Sequence, residues 1–222
     1  ITLSPNYKNE FNFYKYVLNI DKNNTIAHLN LGNVYYTNKD YNRAGIEARR
    51  VLELEPDAWD AYLLLGNISK DKNNFNKAIE LYKRALILNP KSDIALNNLG
   101  SIYKMQGKFD KALEYFNKAL TMNPESSIVL LNMAGVFIKN NKYKQAFAAC
   151  ERIVELYPDN VNGLIEIGVW WAEAGYFKES EFFLTRALRL APTSYDAMRN
   201  LASMYANMGD FDKAIFYFKK AL

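Results

Sequence analysis

An all-α solenoid of antiparallel helix pairs is the fold this 222-residue chain predicts, and three observations predict it. A Leu-Gly-x-x-Tyr string beginning at Leu31, or a close variant of it, returns every 34 residues. Five prolines, Pro56, Pro90, Pro124, Pro158 and Pro192, keep the same spacing of 34 with no insertion or deletion. Two columns of that frame hold only small residues: Gly32, Gly66, Gly100, Ala134, Gly168 and Ala202 in column eight, and Ala44, Ala78, Ala112, Ala146, Ser180 and Ala214 in column twenty. A period in this range marks stacked helical units, none of which can bury its apolar face alone.

The frame runs from Thr25 to Leu222. In the first half of each repeat, large apolar residues flank the small one at helical spacing: Leu31, Leu65, Leu99, Met133, Ile167 and Leu201 in column seven, then Tyr35, Ser69, Tyr103, Phe137, Trp171 and Tyr205 in column eleven. Short polar strings such as Asn38-Lys39-Asp40, Asn73-Asn74, Gln106-Gly107-Lys108 and Ala174-Gly175-Tyr176 predict the turn. A second helix follows, its inner face marked by Ala48, Tyr82, Phe116, Cys150, Leu184 and Phe218 and by Val51, Ala85, Ala119, Ile153, Ala187 and Ala221. Each pair stops just before its proline, which cannot continue the helix it follows but suits entry to the next. Small residues in columns eight and twenty let the two helices cross closely.

In this order of columns the chain resembles the tetratricopeptide repeat family. The resemblance covers five complete repeats (25–58, 59–92, 93–126, 127–160 and 161–194), a sixth cut short at Leu222, and a partial repeat over 1–24. It implies a right-handed superhelical solenoid, and the whole of 1–222 is expected to form one such domain. Departures are few: Ser69 replaces the tyrosine, Cys150 the phenylalanine, and Glu10 would stand in the small slot of the partial repeat. Over residues 7–24, Tyr7, Phe11, Tyr14 and Val17 at helical spacing predict a second helix that caps the first complete repeat.

The formal charge is +4, and a basic residue recurs early in the second helix at Arg43, Lys77, Lys111, Lys144, Lys178 and Lys213. This row is expected to be a solvated face, so no nucleic acid is expected as a partner. No apolar run approaches the roughly 20 residues of a transmembrane helix. The chain starts at Ile1 and stops before the proline expected in its sixth repeat, which predicts a fragment or a processed product. Ile215, Phe218 and Leu222 are expected to lie uncovered, so the chain either continues or pairs end to end with a second copy.

Nothing in the pattern calls for catalysis. The only histidine, His28, and the only cysteine, Cys150, sit three repeats apart, which separates them by tens of Å when helices pack about 8–10 Å from one another. His28 is expected to be a partly buried packing residue and Cys150 a small core hydrophobe. Glu179 and Glu181 are expected on a helix surface. There is no glycine-rich phosphate loop and no metal-spaced set, so no catalytic residue, metal or cofactor is predicted.

What remains is a binding surface. The resemblance implies that first helices line a concave face, where columns two, five, six, nine, twelve and thirteen project. Column six reads Asn30, Leu64, Asn98, Asn132, Glu166 and Asn200; at the chain's asparagine frequency of 26 in 222, six positions would hold fewer than one. A carboxamide both donates and accepts, so a stack of them can hold an extended peptide by its backbone. The arrangement is similar to the asparagine ladder of the tetratricopeptide superhelix of O-linked N-acetylglucosamine transferase. Column nine changes from Asn33 and Asn67 through Ser101 and Gly135 to Val169, and Ile128, Leu131, Ile138 and Ile165 make the fourth and fifth repeats more apolar. The expected site is therefore Asn30, Asn33, Asn67, Asn98, Ile128, Leu131, Asn132, Ile138, Ile165, Val169 and Asn200, facing an extended or helical protein segment. The family's clamp for chaperone carboxyl termini is not reproduced in any register. A non-enzymatic scaffold is the leading expectation, and the substrate-recruiting region of a larger enzyme such as a glycosyltransferase is the alternative.

Overall fold

In the computed structural model the backbone is described from Pro5 and the side chains from Asn9. The described residues form thirteen α-helices and no strand. After α1 (Pro5–Ile20) come six helix pairs, each in the predicted frame. They are α2 (Thr25–Thr37) with α3 (Tyr41–Leu54), α4 (Trp59–Asp71) with α5 (Phe75–Leu88), and α6 (Asp93–Met105) with α7 (Phe109–Met122). The remaining three are α8 (Ser127–Lys139) with α9 (Tyr143–Leu156), α10 (Val161–Glu173) with α11 (Phe177–Leu190), and α12 (Tyr195–Met208) with α13 (Phe211–Ala221). The helices gather into two compact units, Ile1–Pro124 and Glu125–Leu222.

Local chemistry sets the ends of these helices. Asn24, Ser92, Asn160 and Ser194 cap first helices, their side-chain oxygens accepting from the backbone N–H three residues on. Asp40, Asn74 and Asp210 do the same for second helices. Between the two helices, column fifteen is left-handed in every repeat: Lys39, Asn73, Gly107, Asn141, Gly175 and Gly209 all have φ between 56° and 82°. A left-handed residue just past a helix ends it and reverses the chain. Glycine takes that conformation freely, asparagine tolerates it, and Lys39 bears a cost of about 1–2 kcal/mol.

In the first unit α1 packs on α2, α3 on α4 and α5 on α6, and the first helices also meet one another, α2 on α4 and α4 on α6. In the second unit α11 packs on α12, and α10 meets α12. The small column explains how closely each pair approaches. A Cβ built on Gly66 would lie 2.5 Å from Tyr82 Cε1, one on Gly100 2.5 Å from Phe116 Cε1, and one on Gly168 2.6 Å from Leu184 Cγ. Glycine is needed where Tyr82, Phe116 or Leu184 faces it, whereas Ala202 stands opposite Phe218, which is 44% exposed.

The irregular repeats follow the same volume rule. In the first, Ala48 stands where a ring would be, and Leu64 crosses from α4 to fill the space, its Cδ2 2.9 Å from where a Cβ of Gly32 would lie. Leu64 is only 2% exposed and belongs to the core with Leu31, Tyr35, Ala44, Ala48 and Ile68. The gap at Leu64 in the asparagine column thus has a packing cause. The fourth repeat changes both partners, with Ala134 in the glycine column and Cys150 in the ring column, each wholly buried.

At the N-terminal end Phe11 and Tyr14 pack on that first cluster as expected, joined by Leu18 where Val17 was expected; the side chain of Tyr7 lies outside the described residues. At the other end Ile215, Phe218 and Leu222 are exposed. One core position carries a defect. Ser180 is wholly buried in the small column, and its Oγ has no hydrogen-bond partner among the described residues. Ser180→Ala is therefore expected to stabilise the chain by about 1–2 kcal/mol, from the desolvated hydroxyl removed and the better helix former gained. Urea unfolding measures this, and a lower midpoint for the variant would refute it.

Candidate partner-binding face

On the first unit the face is mixed: Ile26 on α2 and Ile94 on α6 are exposed, at 71% and 52%, beside polar side chains. Asn30 is half-buried on α2 and Asn33 is exposed one turn later. Asn67 and Asn98 are drawn together between neighbouring repeats: Asn98 Nδ2 donates to Asn67 Oδ1 at 2.9 Å, and the Tyr82 hydroxyl donates to the same oxygen at 2.7 Å. Asn98 is only 9% exposed, so its carboxamide is in part a link between α4 and α6. Burial holds the Tyr82 phenol well above its ordinary range and keeps it a donor. A second link joins α2 to α4, where the Tyr36 hydroxyl donates to Asp71 Oδ2 at 2.7 Å. Burial first, and then this bond to a carboxylate, raise the Tyr36 phenol above its ordinary range.

On the second unit apolar groups concentrate in the fourth and fifth repeats, beside polar ones such as the exposed Glu166. Ile128 opens α8 with 63% of its surface exposed, and Leu131 and Ile138 follow on the same helix, half-buried. Val169 and Ile165 stand half-buried on α10, and Ile165 packs against the α12 cluster of Leu201, Met204 and Tyr205. Asn132 on α8 and Asn200 on α12 are half-buried as well. Of the residues expected at the site, the structure joins Asn67 to Asn98 and seats Ile165 on α12.

Several polar contacts escaped the sequence reading. His28 packs as expected, yet its Nδ1 lies 2.6 Å from Glu47 Oε2 and its Nε2 3.0 Å from the Lys22 carbonyl. Glu181 is not a simple surface carboxylate, since the Tyr205 hydroxyl donates to its Oε1 at 2.6 Å. The basic row has a packing role where column eleven is tyrosine: Arg43 lies 4.6 Å over the Tyr35 ring, Lys111 5.7 Å over Tyr103 and Lys213 4.8 Å over Tyr205. Where Ser69 replaces the ring, Lys77 pairs with Glu80 at 3.1 Å instead. Recurrence of Lys or Arg eight residues after the tyrosine was the available signal.

Among the described residues no three His, Cys, Asp or Glu side chains are grouped to hold a metal ion. None of the described helices is long and apolar enough to cross a membrane.

Comparisons with known proteins agree with this architecture. The family model for the Tetratricopeptide repeat protein 21 C-terminal ARM domain matches residues 6–162, and that for the tetratricopeptide repeat matches 195–222. No curated protein matches significantly. Among solved structures, PilF of Pseudomonas aeruginosa superposes with a TM-score of 0.70 at 21% identity, over 87% of this chain and 88% of that one. The Cut9 and Hcn1 complex of APC/C gives 0.75 at 13% identity over 97% of this chain, which spans 43% of that chain. YrrB, described as a TPR protein with an unusual peptide-binding site, gives 0.57 at 19% identity over 83% of this chain and 95% of its own. At such identities the likeness is one of fold. From the helix pairs, the repeat period and the matched models together, the chain belongs to the tetratricopeptide repeat family.

Proposed function

We propose that this chain is a non-enzymatic scaffold whose first-helix face holds an extended or helical segment of a partner protein. Repeats of this family serve in general as non-catalytic scaffolds for protein interaction. The observation that carries the reading is the apolar stretch of the second unit, where Ile128 is 63% exposed and Leu131, Ile138 and Val169 are half-buried on first helices. Apolar surface left in water forgoes about 25 cal/mol for each Å² that a partner could cover, and contiguous patches of it mark interaction sites. Asn30 and Asn33 offer donors and acceptors to a peptide backbone, while Asn67 and Asn98 share theirs with each other. YrrB, alike in fold, has a peptide-binding site of its own.

The test is capture of partners from a lysate of the native source by immobilised protein. Ile128→Asp with Val169→Asp is expected to reduce capture at least about tenfold, because a carboxylate cannot be buried unpaired against an apolar anchor. Both positions lie outside the packed core, so the unfolding free energy should change by less than about 1 kcal/mol. Full capture by a variant that melts normally would sink the reading.

A further inference from the structure

The side of the first unit opposite its first-helix face carries a cleft that the repeat pattern would otherwise fill. In three of the six repeats the column-eleven ring meets column twenty-one of the preceding second helix. Tyr35 meets Phe11 edge to face at 5.7 Å, Trp171 meets Phe147 at 6.1 Å, and the Tyr205 hydroxyl bonds to Glu181. At one slot both partners shrink together, to Ser69 on α4 and Gly45 on α3. A cavity of about 740 Å³ opens there between α3, α4 and α5. Its size falls within the range of ligand pockets, roughly 300–1,000 Å³.

The lining is apolar along Leu52, Leu65, Ile68, Leu81 and the exposed Ile46, and Tyr41 and Tyr62 line it as well. Arg49, Lys72 and Lys77 also line it, and no carboxylate does. Two acidic groups lie close by: Glu80 pairs with Lys77, and Asp71 accepts from the Tyr41 hydroxyl at 3.4 Å. Lys72 remains over the Tyr41 ring at 5.9 Å, with Asn42 Oδ1 3.3 Å from its Nζ. The Arg49 guanidinium lies across Gly45, 3.3 Å from where a Cβ would be, so the guanidinium occupies space that a side chain takes elsewhere.

We infer that this cleft binds a short acidic peptide segment of a partner protein, whose carboxylates draw the Arg49 guanidinium off Gly45 and whose aromatic side chain takes the space beside Ser69 and Gly45. The ring replaces the one missing from the repeat and meets apolar lining residues such as Leu65 and Ile68, while flanking carboxylates meet Arg49 and Lys72. The site is separate from the first-helix face and does not depend on it.

The test uses a fluorescent peptide of sequence Asp-Glu-Phe-Glu-Asp titrated with the whole chain. Saturable binding with Kd below ~100 µM is expected, weakening as salt rises from ~0.05 to ~0.3 M. Ser69→Tyr restores the repeat's own residue and should weaken binding at least ~10-fold. Gly45→Leu fills the cleft from α3 and should act alike, so the test survives if one variant folds poorly by circular dichroism. Arg49→Glu with Lys72→Glu should also lose at least ~10-fold, as should the peptide with Ala in place of Phe. Four results would overturn the inference: no saturable binding at ~1 mM, unchanged affinity in both filled variants, equal binding of the Ala peptide, or 4-hydroxyphenylacetate binding as tightly as the peptide, which would assign the cleft to a small molecule.

Discussion

Phe116→Ala is expected to lower the unfolding free energy by about 3–5 kcal/mol, the usual cost of truncating a fully buried ring. The ring is 0% exposed and lies on Gly100, where even one methyl group would stand 2.5 Å from Cε1. That contact predicts a change of sign. By itself Gly100→Ala should destabilise, because overpacking costs about 1–3 kcal/mol and the better helix former returns only about 1. In the Phe116→Ala background the same change should stabilise by about 1 kcal/mol, since the new methyl group fills the vacated space. Urea unfolding of the four chains gives the coupling energy directly. Additive effects would mean that the columns do not exchange volume and that the explanation given for Leu64 and Ala48 is wrong.

Trp171→Ala is the second large effect, expected at about 3–5 kcal/mol. The indole is 1% exposed and touches Tyr143, Phe147 and Tyr176, with ring centroids 5.6–6.4 Å away. Its loss should also change the chemistry of Cys150. Burial pushes that thiol up to about 12; the adjoining Trp171 N–H opposes this only in part, lying outside hydrogen-bond geometry. Because the folded state holds the proton more tightly than the unfolded chain, Cys150 contributes stability that is intact below about pH 9 and declines as pH rises toward about 12. At pH 8 the native thiol should therefore resist a disulfide reagent, while the Trp171→Ala variant should react at least about tenfold faster. Equal reaction rates would show that the indole does not shield the thiol.

The sequence showed the fold through its period, because the 34-residue frame places every first helix where it is found, from Thr25 to Tyr195. Column averages, however, hide the exchange of volume between columns. Leu64 looked like an interruption of the asparagine column, and only its approach to Gly32 shows that it replaces the bulk missing at Ala48. The candidate face was legible in part. Exposure of Ile128 follows from its place at the start of a first helix. The Asn67 and Asn98 contact does not, since it depends on how neighbouring repeats bring columns nine and six together. The same limit hid His28 with Glu47 and Tyr205 with Glu181, pairs whose distance in sequence says nothing of contact.

Side-specific photo-crosslinking tests the central claim, that partners sit on first helices. p-Benzoylphenylalanine would replace Ile128 or Val169 on the first-helix face of the second unit, and Glu151 on the exposed side of α9. Partner adducts from positions 128 and 169 and none from 151 are the predicted result. Adducts from Glu151 alone would contradict the assignment of the binding face.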